Sequence, residues 1–327
     1  MSEPNVITIT LNPSLDRTLV VHYLNVGYHN RTRETTRLDP AGKGVNIARA
    51  LHQLGCPTRA IVLLGDDATG KAFKSIIADE GFGVTAITVS GNTRSNIFIL
   101  DDGSHTETAV IEDGPTITQA DLDLVIGTMQ QQIKEGDFVV LAGSLPNGAP
   151  TDTLAQLCQV AHSIGAQVAI VAGGEPLEKA LPTKPLLVAL SQAEAEAFFN
   201  FPVRAKEDVL GCARHLREQG AQQVLLEMRT TNHALLIAEE GQWEVDLPPV
   251  AGEGTSTGIW SALRAGFLAG WATKRPLPES LELGVAAAAY VAEQIGSEFG
   301  RIEDVKPYRE DVTIHPVVNG MREPLSL

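Results

Sequence analysis

The sequence predicts an α/β fold in which a mostly parallel sheet is covered by helices. Two observations carry this: short apolar strand-like runs alternate with amphipathic helix-like runs over most of the length, and 327 residues suffice for one large domain. Val6 to Leu11 is the first strand. Gly44 to Gly55 reads as a helix, because Val45, Ile47, Ala48, Leu51 and Leu54 recur at helical spacing. Ala60 to Leu64 is a strand, and Gly70 to Gly81 a helix that ends on glycine. Further short buried strands follow at Asp137 to Ala142, Gln167 to Val171, Pro185 to Leu190 and Gln223 to Glu227. Helices are expected at Thr151–Ile164, Gln192–Phe199, Ala205–Gln219, Ser256–Trp271 and Leu281–Ile295.

Two regions break the alternation. Arg17 to Leu38 is polar and β-leaning, and Ser95 to Ile111 reads as a hairpin turning at Asp101-Asp102-Gly103. Neither supplies a strand–helix–strand unit, so together they are expected to form a small β lid. The resulting division is a main domain over 1–315, lid segments at about 12–40 and 93–112, and a loose tail over 316–327. The unpaired edges of such a lid favour a homodimer formed through it.

Composition narrows the function. The formal net charge of −15 argues against a nucleic-acid partner, though a local Lys/Arg pocket can still take a small anion. No apolar run reaches the length of a membrane span, and Met1-Ser2-Glu3-Pro4-Asn5 lacks the basic start of a signal peptide. Cys56, Cys158 and Cys212 are widely spaced, as expected of reduced thiols in a cytoplasmic protein.

Four segments sit where strands end or helices begin: Asn12-Pro13-Ser14-Leu15-Asp16, Ala41-Gly42-Lys43-Gly44-Val45-Asn46, Thr93-Arg94-Ser95-Asn96 and Ala142-Gly143-Ser144-Leu145-Pro146. Each alone is common. Asp16 could be a turn aspartate, Lys43 a solvated loop lysine and Asn46 an ordinary first-turn residue. In this order and spacing, over about residues 6 to 300, they resemble the PfkB (ribokinase-like) carbohydrate kinases. Within that family the likeness is to the 1-phosphofructokinase and tagatose-6-phosphate kinase branches.

The resemblance implies a ribokinase-like three-layer sandwich and a phosphosugar ligand. Asp16 would accept hydrogen bonds from two sugar hydroxyls. Gly42 would bring backbone close to the ligand at a helix N-terminus, with Lys43 adding charge and Asn46 an amide. Arg94 suits a terminal phosphate, which in an active chain it would hold together with Lys43, and Asn96, two residues along the strand, faces the same side. Ser144 completes the substrate set. Phe98 stands where relatives often carry lysine, and Glu112-Asp113-Gly114-Pro115 reads as structural.

The phosphoryl-transfer half departs from the family. Counting back from Ala265-Gly266-Phe267-Leu268-Ala269-Gly270 puts Gly258, Ile259, Trp260 and Ser261 at the Gly-Ala-Gly-Asp signature that supplies an anion hole and a catalytic base. Ser261 takes the aspartate's place, and losing a general base costs about 10²–10⁴-fold in rate. Trp260 replaces a glycine and could occlude the hole. Val171-Ala172-Gly173 lacks a further aspartate. Ala189-Leu190-Ser191-Gln192-Ala193-Glu194 keeps only Glu194 of a metal- and phosphate-linked segment. Met228-Arg229-Thr230-Thr231-Asn232-His233 lacks two nucleotide-side glycines, leaving Arg229 and His233 either as solvent-facing residues or as new nucleotide ligands there. Glu227 and Glu253 are the candidates for a replacement base.

The expectation is therefore a phosphosugar-binding relative of 1-phosphofructokinase with lost or strongly reduced ATP-dependent transfer. The alternative is an active phosphosugar kinase with rebuilt catalytic groups. MgATP is the implied cofactor if the chain is active and none otherwise, with Glu194 as the metal ligand.

Overall fold

The computed structural model describes residues 5–33, 37–228, 232–247, 256–294, 297–318 and 321–322. In chain order the elements begin with β1 (Val6–Thr10), β2 (Ser14–Val21), β3 (Arg37–Ala41), α1 (Lys43–Gln53), β4 (Thr58–Gly65), α2 (Ala68–Ala78) and β5 (Gly83–Val89). Next come β6 (Arg94–Asp101), β7 (Thr106–Ile111), α3 (Gln119–Gln132), β8 (Phe138–Ala142), α4 (Thr153–Ile164), β9 (Gln167–Val171), α5 (Gly174–Ala180), β10 (Leu187–Ser191) and α6 (Gln192–Phe199). The chain closes with α7 (Lys206–Glu218), β11 (Gln223–Met228), β12 (His233–Ile237), β13 (Gln242–Asp246), α8 (Ser256–Ala272), α9 (Leu277–Ala292), α10 (Ile302–Val305), β14 (Ile314–Val318) and β15 (Met321–Arg322).

The large sheet runs β15-β14-β13-β12-β11-β10-β9-β8-β1-β4-β5. From β11 to β5 its strands are parallel, because a covering helix lies on each connection between them and returns the chain. Strand periodicity sorts the side chains between two helical layers. On β8, Val139 and Leu141 join the core that α3 to α7 cover, while Val140 and Ala142 face α1, α8 and α9. On β4, Ala60, Val62 and Leu64 pack instead with Val45, Ala48, Phe73 and Ile77 of α1 and α2. This is a three-layer α/β sandwich.

The helices α8 and α9 lie against each other through glycine. A Cβ on Gly266 would come within 2.7 Å of the Gly284 backbone, and one on Gly270 within 2.7 Å of Ser280. The glycines of the segment that set the signature's register thus serve helix packing.

The small sheet runs β3-β2-β6-β7. Its hairpin, β6–β7, falls where the alternation broke, and β2 pairs with β6 in parallel register although paired residues lie 80 apart in the chain, Ser14 beside Arg94 and Asp16 beside Asn96 being the outcome. The expectation of a loose tail from residue 316 fails at its start. Pro316 lies opposite Trp243 across β13–β14, and β15 extends the sheet further. A proline in this edge-proximal strand hid the pairing.

Candidate active site

The parallel register of β2 and β6 builds the first part of the site. Asp16 lies opposite Asn96, and its Oδ1 accepts hydrogen bonds from Ser14 Oγ (2.7 Å) and Asn96 Nδ2 (2.8 Å). Burial pushes the Asp16 carboxyl up to about 6, against those two bonds and the nearby charge of Arg94. Arg94 begins β6, and its Nε donates to the Asn12 carbonyl at 3.2 Å. Burial lowers the Arg94 guanidinium below its ordinary value, with Asp16 and Asp113 opposing.

Asn46 projects from the first turn of α1 and is fully buried at 0% exposure. Neither its Nδ2 nor its Oδ1 has a hydrogen-bond partner among the described residues, and the same holds for Asn12 Oδ1, Asn96 Oδ1 and Thr10 Oγ1. Buried amide atoms without partners are costly, so a cluster of them marks a place built for a polar ligand. Ser144, at the end of β8, accepts from Asn12 Nδ2 at 3.1 Å and joins this group.

Glycine at the start of α1 answers a packing demand. Gly42 has φ of 115°, and a Cβ there would meet Pro13 Cα and Thr10 Cγ2 at 3.1 Å. A Cβ on Gly44 would fall 2.3 Å from Thr10 Oγ1. Both positions let α1 sit directly on β1, which is a demand of the fold itself. A Cβ on Gly114 would likewise lie 2.2 Å from Asn12 Oδ1, so the return from the small sheet is structural, as its sequence indicated.

The second part lies at the N-terminus of α8. Ser261 is buried at 1% exposure and Ile259 belongs to the core between the sheet and α9. Trp260 is half-buried and packs against that same core. One turn below Ser261, Arg264 is buried at 2% exposure and makes a bidentate pair with Glu227, Nε to Oε1 at 2.7 Å and Nη2 to Oε2 at 2.8 Å. Arg264 also lies 3.5 Å from Glu194 Oε2. Glu194 caps α6 from its N3 position, with Oε2 accepting from Ser191 N and Oγ, while Oε1 pairs with Lys43 at the start of α1.

Lys43, Glu194, Arg264 and Glu227 therefore form one chain of alternating charge. It runs from the start of α1, through α6, to α8 and β11. Burial alone would raise Glu194, but the Arg264 and Lys43 charges hold it down at about 2. Burial pushes Glu227 up to about 7, with Arg264 acting against the rise. Burial also works against the Arg264 charge, and the two carboxylates more than offset it.

Several sequence expectations change here. Lys43 faces Glu194 rather than standing with Arg94. Glu227, considered as a replacement base, has both oxygens bound by Arg264 inside the core. His233 pairs with Asp246 at 2.9 Å. Arg229, Thr230, Thr231 and Glu253 lie outside the described residues. Arg264 and Asn12 were not singled out at all. The signal for Arg264 was present: it is a lone cation within the apolar run Ala262-Leu263-Arg264-Ala265, as Glu227 is a lone anion within Val224-Leu225-Leu226-Glu227-Met228.

The family model described as pfkB family carbohydrate kinase matches residues 10–304. The chain belongs to the pfkB family. Among relatives, it is 33% identical to a 1-phosphofructokinase of Bacillus subtilis (strain 168), over 90% of this chain and 95% of the relative. It is 32% identical to a 1-phosphofructokinase of Xanthomonas campestris, over 80% and 83%. Among solved structures, phosphofructokinase-2 from Escherichia coli in complex with potassium superposes with a TM-score of 0.85 at 26% identity, covering 94% of this chain and 99% of that one. The ribokinase of Arabidopsis thaliana, 20% identical with a TM-score of 0.72 over 95% and 99%, shares the fold. The pfkB chain described here thus has a ribokinase-like architecture throughout its matched length. Among the described residues no helix is long and apolar enough to cross a membrane.

Proposed function

We propose that this pfkB protein binds a phosphosugar of the kind taken by 1-phosphofructokinases, with ATP-dependent phosphoryl transfer lost or strongly reduced. One observation carries the second half of that reading. Ser261, the sixth residue of α8, is buried, and among the described residues the carboxylates that meet this helix at Arg264 (Glu194 and Glu227) are both paired to that guanidinium. Glu194 has one oxygen on Lys43 and the other on Ser191 and Arg264, so it is engaged within the protein rather than turned to a sugar hydroxyl.

The sugar half supports binding. Asp16, Asn46, Asn96 and Ser144 gather acceptors and donors around one cleft, with Gly42 holding the entry of α1 and Arg94 placed for the phosphate. Melting the protein with fructose 1-phosphate, fructose 6-phosphate and tagatose 6-phosphate tests this. At a hundred times its dissociation constant a ligand stabilises by about 2.7 kcal/mol, which reads as a rise of several degrees. At least one of the three is expected to give that rise, and Arg94→Ala to remove it. No rise with any of them contradicts the binding claim.

The small sheet supports self-association through its outer face. Its edge strand β7 is exposed throughout, and Tyr23, Val26, Tyr28, Val110 and Ile111 are large apolar residues left in solvent around it. Phosphofructokinase-2 from Escherichia coli has been solved in a tetrameric form. A dimeric mass by light scattering is expected here, and Val110→Lys with Ile111→Lys should shift it to the monomer. A monomeric mass for the unaltered chain removes the proposal.

A further inference from the structure

The divalent ion that family resemblance implies would have to be held at Glu194, and the residues around that carboxylate do not fit it. Magnesium keeps an octahedron of oxygens, mostly water with one or two carboxylates. Here Oε1 of Glu194 is taken by the Lys43 ammonium, and Oε2 receives two hydrogen bonds from Ser191 and faces Arg264 at 3.5 Å. The second carboxylate, Glu227, is closed off by its bidentate bonds to Arg264 at 2.7 and 2.8 Å. No group of three His, Cys, Asp or Glu side chains suited to a metal occurs among the described residues. Gly173 lies beside Glu194, a Cβ built there falling 3.4 Å from the Glu194 side chain, and glycine brings no side-chain oxygen.

Two fixed positive charges at one carboxylate do what a dication would do there. They neutralise it, and they repel any second cation. The arrangement is also rigid: Arg264 is 2% exposed, its planar fork is matched to Glu227, and Glu194 is pinned by the cap of α6. We propose that Arg264 and Lys43 stand in for the divalent cation at Glu194, so that this site takes no metal ion.

The proposal rests on the phosphosugar reading only for the choice of ligand, and it yields a separate readout. Full-length protein stripped with EDTA is titrated with Mn²⁺, followed by water-proton relaxation, beside Glu194→Gln. The two are expected to give the same, background enhancement. Any stabilisation by fructose 1-phosphate is expected to be equal in EDTA and in millimolar Mg²⁺. In Lys43→Met/Arg264→Met/Glu227→Leu, which removes both cations and the buried partner together, Glu194 is freed, and Mn²⁺ enhancement is expected to appear and to vanish when Glu194→Gln is added. Mn²⁺ binding by the unaltered chain that Glu194→Gln abolishes would overturn the proposal. So would a folded triple variant that binds no Mn²⁺. Should the triple variant not fold, the unaltered chain beside Glu194→Gln still decides. A protein that shows no phosphosugar stabilisation but also no Mn²⁺ site would sink the phosphosugar reading and leave this one standing.

Discussion

Arg264→Ala is expected to cost about 3–5 kcal/mol of folding stability, the loss typical when one partner of a buried ion pair is removed. The reason is Glu227. It is fully enclosed, and both its oxygens are bound by that one guanidinium. Without Arg264 the carboxylate loses both its hydrogen bonds and keeps only the weaker influence of the Lys43 charge. The deficit should depend on pH with a definite sign. Burial already raises Glu227 from its ordinary 4.5 to about 7, and loss of the guanidinium raises it further. A group with a raised folded value contributes stability that is fully present below its unfolded value and is lost as pH rises through the folded one. The variant should therefore be nearly as stable as the parent near pH 4.5, and progressively weaker towards neutrality and above. Urea midpoints across that range measure this. Arg264→Met with Glu227→Leu should recover most of the loss, because a buried pair replaced whole leaves no stranded charge. A pH-independent deficit, or no recovery in the paired variant, would contradict the account of the charge chain.

Asp16→Asn should move stability and binding in opposite directions. Asp16 Oδ1 already receives hydrogen bonds from Ser14 and Asn96, and an amide oxygen in the same place keeps both. Only the other atom changes, from a charged acceptor to an N–H donor. Asp16 is raised from 3.8 to about 6 by burial, so its charge is a cost in the folded state at neutral pH. That shift corresponds to a stability cost on the order of 3 kcal/mol. The parent should lose this stability as pH rises from about 4 through about 6, and the asparagine variant should not. Above pH 6 the variant is expected to melt later. Its affinity for a phosphosugar should nevertheless fall on the order of 10²-fold, since two charge-assisted hydrogen bonds from hydroxyls are lost. A variant that is more stable and binds unchanged would remove Asp16 from the sugar site.

The parts of the molecule that could be read from sequence are those fixed by local pattern. The first helix showed its apolar spacing from Val45 to Leu51, in a chain whose layers follow from the alternation of strand-like and helix-like runs. Asp16 and Asn96 could be placed in one site because their motifs are matched in order, and the parallel register then put them opposite each other. The charge chain could not be read this way. Its four members come from α1, α6, β11 and α8, and a cation or an anion inside an apolar run names no partner until the strands and helices are assembled. Lys43 was expected to face the phosphate for the same reason: sequence fixes its position at the helix start but not the carboxylate brought to it by α6. The β14 pairing was hidden by Pro316, which sequence alone assigns to a loop as readily as to an outer strand.

The most direct measurement is ADP release from MgATP by the purified chain, followed by a coupled assay with each phosphosugar that stabilises it. The proposed loss of transfer, with Ser261 in the place of the family's aspartate and both Glu194 and Glu227 paired to Arg264, predicts no release above the protein-free background even at enzyme concentrations approaching those of the sugar. Release that is stoichiometric with phosphosugar consumed, and that disappears on changing Asp16 or Arg94 to alanine, would show that transfer survives in this site and would contradict the account.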